Sequence, residues 1–267
     1  LERKSIVIEK HVNEVHIKLT SGAVKVVKSS DDSFKLFFEE NAPDVRIDNG
    51  VLSINVRGYE KGLLGLINFG SGPSEHLELH VPTHLKLLQI SSISADIEVS
   101  SLSFEHGTLK TVSGEIKIDG CRAQSMEIKT VSGDIELSTV DVQRLAVASA
   151  SGDINVDKLE CREYDWLLST VSGDMSLNVV GLPNIRLSLK STSGDISSNV
   201  GYVRRGNEYI FGDGRMKIVA STVSGDVRLK VMSKKERVEE IEKRILRLVA
   251  EGKLSYEEAK QMLQELS

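Results

Sequence analysis

Seven copies of one hexapeptide run through this chain, and that repetition restricts the fold more than any other feature of the sequence. The copies are Ser92-Ile-Ser-Ala-Asp-Ile97, Thr111-Val-Ser-Gly-Glu-Ile116, Thr130-Val-Ser-Gly-Asp-Ile135, Ser149-Ala-Ser-Gly-Asp-Ile154, Thr170-Val-Ser-Gly-Asp-Met175, Ser191-Thr-Ser-Gly-Asp-Ile196 and Thr222-Val-Ser-Gly-Asp-Val227. The small fourth residue falls at 95, 114, 133, 152, 173, 194 and 225, in steps of 19, 19, 19, 21, 21 and 31.

Around each copy apolar and polar residues alternate, as in Ile116-Lys-Ile118, Met126-Glu-Ile128, Ile135-Glu-Leu137 and Val227-Arg-Leu229. A period of two describes a strand with one buried face, and the crowding of β-branched residues excludes a helix here. Each repeat then holds at least two short strands joined at Ser-Gly-Asp. Glycine at the corner is expected either to take a positive φ or to be crowded by neighbouring coils, and the Ser and Asp side chains to bond nearby backbone amides.

A meander of hairpins and a solenoid both satisfy this pattern. The steady step favours the solenoid, because 19 extended residues at about 3.3 Å each make a loop of roughly 60 Å, enough to enclose one layer of side chains. The predicted fold is mainly β: a single-stranded, β-helix-like solenoid of 19–21-residue coils, stacked in parallel through residues 92–231 with successive repeats in register. The final 31-residue step implies an insertion at Gly201 to Gly214.

Residues 1–90 read as a strand-rich N-terminal cap of the solenoid, residues 91–232 as its repeats and residues 233–267 as a helical hairpin. Within the cap, Thr20-Ser21-Gly22-Ala23-Val24 looks like a decayed corner, and the Gly-rich stretch Gly58 to Pro73 carries Leu63, Leu64, Leu66, Ile67 and Phe69. Past Lys234 the period becomes helical: Val238, Ile241, Ile245, Leu248 and Val249 form one stripe. Gly252 ends it, and Ser255 with Glu258 makes a capping box for a second helix bearing Ala259, Met262, Leu263 and Leu266. Eight basic and eight acidic residues between Lys234 and Ser267 leave no net charge to hold copies of this hairpin apart.

Composition narrows the function. With a net charge of −5, 4% aromatic residues and no dense Lys/Arg tract, the chain lacks the positive surface and stacking platforms that nucleic acids require. No run reaches the roughly 18 to 20 apolar residues of a transmembrane helix. A cytoplasmic or membrane-associated location is expected; the sequence begins Leu1-Glu2-Arg3-Lys4 without Met, so a signal peptide, an anchor or a further domain could precede it and an extracytoplasmic location stays open.

The ladder of Thr-Val-Ser-Gly-Asp-Ile copies, preceded by Asp48-Asn-Gly-Val-Leu-Ser-Ile54 and Leu77-Glu-Leu-His-Val-Pro82, resembles the bacterial candidate-adhesin family, also called toastrack domains, over about residues 5–231. The stretch Ile245 to Leu263 resembles the short helical module known as SHOCT. The resemblance implies a β-helix-like stack without known catalytic residues, often associated with envelope-stress systems, and a helical module thought to mediate oligomerisation.

Candidate sites are few. The acidic ladder of Asp96, Glu115, Asp134, Asp153, Asp174, Asp195 and Asp226 supplies one carboxylate per corner, where calcium wants six to eight oxygens. Stacked carboxylates repel by only ~0.9 kcal/mol in water, so turn capping is the reading and no metal or other cofactor is expected. His76, Glu78, His80 and His84 read as solvated strand residues, and Cys121 and Cys161 as free thiols. No hydrolase elbow, phosphate loop or zinc-protease motif occurs, so no enzyme is expected. Gly114, Gly133, Gly152, Gly173, Gly194 and Gly225 are structural corners. Leu63, Leu64, Leu66, Ile67 and Phe69, with Ile241, Ile245, Leu248, Met262, Leu263 and Leu266, are the candidate interaction residues.

The expected function is a non-enzymatic bacterial scaffold or interaction module, linked to envelope stress and multimerised through its C-terminal helices. Its partner is a second copy or another protein, with a membrane or envelope component as a further candidate. A surface adhesin or glycan-binding module is the alternative, and a polysaccharide-active β-helix enzyme comes third.

Overall fold

The computed structural model describes residues 4–31, 33–39, 42–56, 76–82, 84–250 and 254–265. The strands, in chain order, are β1 (Lys4–Ile8), β2 (Glu14–Lys28), β3 (Phe34–Phe38), β4 (Asp44–Asp48), β5 (Val51–Val56), β6 (His76–Val81), β7 (Leu85–Ser100), β8 (Ser103–Lys110), β9 (Ile116–Asp119), β10 (Arg122–Lys129) and β11 (Ile135–Ser138). They continue as β12 (Asp141–Ala148), β13 (Ile154–Leu159), β14 (Asp165–Ser169), β15 (Met175–Val180), β16 (Ile185–Ser191), β17 (Ile196–Ser198), β18 (Val203–Arg205), β19 (Glu208–Phe211), β20 (Met216–Thr222) and β21 (Val227–Met232). Two helices follow, α1 (Lys234–Ala250) and α2 (Tyr256–Glu265).

The repeats stack in parallel. On one face β7, β8, β10, β12 and β14 pair in that order, and on the other β7, β9, β11, β13 and β15 do the same. Residues one coil apart share a register position, such as Ile116, Ile135 and Ile154. Alternation decides which side faces in: in Ile116-Lys-Ile118-Asp119 the isoleucines are buried and the polar residues exposed. The inward rows of both faces meet in one hydrophobic core running from Ile8 to Leu229.

The strand-rich cap is itself built of coils. β2 runs parallel to β7 along nearly its whole length, and its two halves pair in parallel with β5 and β6. Ser21 and Gly22 lie opposite Ser94 and Ala95, so the decayed corner occupies a corner position. Antiparallel strands close this end, β4 on β5 and β3 on β6, with β1 beyond β3.

At the opposite end the order departs from the sequence. In-register pairing of successive repeats was expected throughout, yet β20 lies between β14 and β16, and β21 lies between β15 and β17. The repeat at 222–227 therefore sits between those at 170–175 and 191–196. The physical reason is the 31-residue step. Its insertion forms β18 and β19, which pair antiparallel with each other and against β16. The chain thereby covers the β16 edge of its last coil, a surface that would otherwise template further strand pairing, and returns inside it.

Candidate interaction surfaces

The corner glycines do not take a positive φ; glycine is required there by close approach. A β-carbon on Gly133 would stand 1.8 Å from the carbonyl oxygen of Gly114, and one on Gly152 would stand 1.9 Å from that of Gly133. The same contact links Gly173 to Gly152, Gly225 to Gly173 and Gly194 to Gly225, repeating the exchanged coil order. No side chain fits between backbones stacked this closely.

Hydrogen bonds complete each corner. The amides of Gly133, Gly152, Gly173, Gly194 and Gly225 donate to the hydroxyls of Thr130, Ser149, Thr170, Ser191 and Thr222. The buried Thr170 hydroxyl in turn donates to the Gly152 carbonyl at 3.2 Å, which satisfies a polar group inside the stack. The Asp carboxylates accept from the amide of the equivalent residue one coil on: Glu115 to Asp96, Asp153 to Asp134, Asp174 to Asp153, Asp226 to Asp174 and Asp195 to Asp226, all at 2.8–3.1 Å. Where glutamate replaces aspartate, the Glu115 carboxylate meets Lys117 at 2.9 Å. Among the described residues no group of three or more His, Cys, Asp or Glu is arranged to hold a metal ion.

This geometry pushes the second residue of most motifs outward, Ala150 being half-buried. Ile93, Val112, Val131, Val171 and Val223 are 46–57% exposed and form a ridge of branched apolar side chains along the corner edge. The motif announced these residues, but only stacking brings them into one line.

The opposite edge, where each coil returns to the first face, holds a groove of about 510 Å³. Its floor is a column of turn residues in the left-handed region, Ser101, Gly120, Thr139 and Lys158, with φ between 53° and 63°. Lys28, His84, Arg122, Lys158 and Arg162 line it, against Asp141 and Glu160. Asp141 is central: Arg122 Nε donates to it at 2.9 Å, Arg162 Nη1 at 3.3 Å, and the Tyr164 hydroxyl also donates. Burial opposes ionisation of Asp141, but the Tyr164 hydrogen bond and the two guanidinium groups outweigh it and hold its carboxyl below the ordinary value. Burial and the Asp141 carboxylate together raise the Tyr164 phenol.

Sequence reading missed this cluster, although the signal was present in the step. Between Asp157, opposite Ser138, and Asp165, opposite Arg144, the chain has seven residues, 158–164, where the preceding coil has five, 139–143. The two extra residues are the change from a 19- to a 21-residue step, and the lengthened turn carries Glu160, Arg162 and Tyr164 into the groove.

The other candidates fall as follows. Leu63, Leu64, Leu66, Ile67, Phe69 and Leu266 lie outside the described residues. In the helical hairpin Ile245 is buried together with Ala259, Leu248 and Leu263 are half-buried, and Ile241 and Met262 are exposed. Ile241 and Arg244 of α1 lean over the return-turn edge, where with Thr139, Lys158, Glu160, Val180 and Met232 they line a slot of about 260 Å³. His80 bonds Glu78 at 2.6 Å and His84 bonds the Ser103 hydroxyl at 3.0 Å. Both cysteines are free thiols; burial pushes Cys121 up to about 12 and raises Cys161 as well, so neither is a thiolate near neutral pH. No described helix is long and apolar enough to cross a membrane.

Comparison with known proteins adds the following. The toastrack DUF4097 family model matches residues 9–230, and a SHOCT-like domain model matches residues 242–267. No curated protein matches the chain. Among solved structures it is similar to a candidate adhesin from Bacteroides fragilis NCTC 9343, at 14% identity and a TM-score of 0.47, over 86% of this chain and 97% of that one. It is also similar to a candidate cell adhesion protein from Clostridium sporogenes ATCC 15579, at 13% identity and a TM-score of 0.34, over 86% of this chain and 100% of that one. A candidate lipid binding protein from Parabacteroides distasonis ATCC 8503 matches at 16% identity and a TM-score of 0.37, over 86% and 97% respectively.

Proposed function

This chain belongs to the toastrack DUF4097 family, and we propose that it works as a non-enzymatic scaffold whose solenoid presents rigid faces to a protein or envelope component and whose C-terminal hairpin joins copies of the chain. The family match supports a module that binds rather than catalyses.

The observation that carries multimerisation is the incomplete core of the hairpin. α1 and α2 bury Ile245 and Ala259 between them but leave Ile241, Leu246 and Met262 at 39%, 59% and 44% exposure. Large apolar side chains gain about 1.5–3 kcal/mol each on full burial, so association of hairpins is the favourable outcome for a segment without net charge. Sedimentation velocity on the full chain and on a chain lacking residues 234–267 tests this at tens of micromolar. The full chain should sediment as an oligomer and the shortened one as a folded monomer with an unchanged β-sheet circular dichroism spectrum. Two monomers would overturn the reading.

A further inference from the structure

The outermost coil is finished on one face only. Beyond β16 the first face gains two strands, β19 and then β18, whereas the other face stops at β17, which among the described residues pairs with β21 alone. β18 likewise pairs only with β19 among those residues. One face therefore overhangs the other by two strands, and each ends in a free edge of three residues. Open edges of this kind template pairing with another strand.

Burial registers the missing neighbour. Ile116, Ile135, Ile154, Met175 and Val227 share one inward row and are fully buried, yet Ile196, the last member of that row, is half-buried. Between this last corner and the hairpin of β18 and β19 lies a recess of about 580 Å³, with Asp195 on one wall and Tyr209 on the other. Asp195 is outermost in the carboxylate ladder, so no further coil supplies it with an amide, and its exposed carboxylate is unpaired among the described residues. On the overhang, residues 201–207 are all exposed, and the Arg205 guanidinium has no ion pair among the described residues.

We propose that this end of the stack docks against the same end of a second copy, with β18 of each chain paired antiparallel to β17 of the other. Direction and stagger select this occupant. β18 is antiparallel to β19 and β19 to β16, so β18 runs with β16, while β17 runs back across the opposite face. A two-fold axis parallel to the strands, just beyond the last coil, carries each face onto the opposite face and preserves strand direction. Each two-strand overhang then fills the other copy's two-strand recess, the self-complementarity a closed two-fold contact requires. Head-to-tail stacking fits less well: at the far end β5 and β4 extend one face two strands past β2, and β6, β3 and β1 extend the other by three, an overhang of one. Antiparallel pairing also sets the start of β17 against the end of β18, bringing the unpaired Asp195 carboxylate of each copy beside the unpaired Arg205 of the other. Ladders this short bury less than the roughly 1,200 Å² of stable complexes, so the contact is weak by itself. It closes near millimolar concentration, or between copies that their hairpins already hold at an effective concentration of about that order.

Crosslinking of the full chain at about millimolar concentration tests the assignment. Ser197→Cys chains and Val203→Cys chains are mixed, treated with bismaleimidoethane and mapped by peptide mass spectrometry; each engineered thiol is on a separate chain, so a 197–203 link joins two copies. That link should exceed the 197–197 and 203–203 links at least about fivefold, because the two-fold contact brings unlike strands together. Arg205→Glu in both chains should lower its yield at least about threefold by setting two carboxylates side by side, and adding Asp195→Lys should restore it. Both residues are exposed, and an unchanged melting curve establishes that the variants are folded. Equal yields of the three links, no 197–203 link, or a yield indifferent to Arg205→Glu would each overturn the proposal. The hairpin contact is read by sedimentation and uses none of these residues, so either contact can fail while the other stands.

Discussion

The amide of Asp226 donates a 2.9 Å hydrogen bond to the carboxylate of Asp174, which stands 52 residues earlier in the chain. Asp195 lies between them in sequence but outside them in space, its own amide bonded to the Asp226 carboxylate at 3.1 Å. This exchange of the last two coils lets the chain finish inside its own stack, with the β16 edge of the outermost coil covered by β19.

Crosslinking reads the exchanged order directly. The Val223 amide bonds the Val171 carbonyl at 3.1 Å, which places these residues on adjacent coils, whereas Thr192 lies one coil further out. A Val171→Cys, Val223→Cys pair should oxidise to a disulfide, because adjacent coils about 4.8 Å apart fall within bridging range. A Val171→Cys, Thr192→Cys pair, about twice as far apart, should not. Peptide mapping after mild oxidation distinguishes the two, and a 171–192 bridge would restore sequential stacking.

Two glycines separate crowding from backbone conformation. Gly133 has a non-positive φ and a carbonyl oxygen 1.8 Å from where its β-carbon would be, while Gly206 has φ +61° and open space around it. Gly133→Ala should cost about 2–3 kcal/mol or more through overpacking against backbone. Gly206→Ala should cost about 1 kcal/mol, the strain of a left-handed alanine. Urea unfolding of both variants gives the comparison, and equal losses would show that close approach is not what the corner demands.

The carboxylate ladder should need no metal. One carboxylate oxygen of each of Asp96, Asp134, Asp153, Asp174 and Asp226 accepts an amide from the next coil, as Asp134 does from Asp153 at 2.9 Å. Asp134→Asn retains an acceptor oxygen and should shift stability by less than about 1 kcal/mol, while Asp134→Ala removes the acceptor and should cost roughly 1 kcal/mol. Millimolar calcium should leave the melting temperature of the native chain unchanged. A rise abolished by Asp134→Asn would make the ladder a cation site.

Acid should release the start of α1 before it harms the solenoid. The Ser233 amide donates to Glu236 and the Glu236 amide to the Ser233 hydroxyl, a reciprocal cap, and Lys230 pairs with Glu236 at 2.7 Å. The Lys230 hydrogen bond, followed by those from Ser233, lowers the Glu236 carboxyl from the ordinary 4.5 to about 2. Because the folded value lies below the unfolded one, this contribution is complete above pH 4.5 and is lost as pH falls toward 2. The protection factors of the amides at 234–238, their exchange rates taken relative to the intrinsic rate at each pH, should therefore fall over that window in the native chain. In Glu236→Gln they should already be low at pH 6 and change much less with acid.

Much of this architecture was legible because it is written in local chemistry. The period-two alternation of Ile116 to Asp119, the invariant step from Gly114 to Gly133 to Gly152, and the helical stripe from Ile241 to Leu248 declare coils, corners and a hairpin without reference to anything distant. A parallel stack follows, since identical corners can satisfy one another only in register. What the sequence left open is which coil touches which. Gly173 could stack on Gly194 or on Gly225, as both offer the same carbonyl and the same carboxylate, and only the cost of an uncovered last edge selects Gly225. The groove at Asp141 was hidden for a related reason. Arg122, Asp141, Arg162 and Tyr164 come from three different coils, and nothing local to any of them marks a site. Local periodicity therefore determined the repeating unit, while the order of the coils and the chemistry of their return edge arose only when tertiary packing brought residues tens of positions apart into contact.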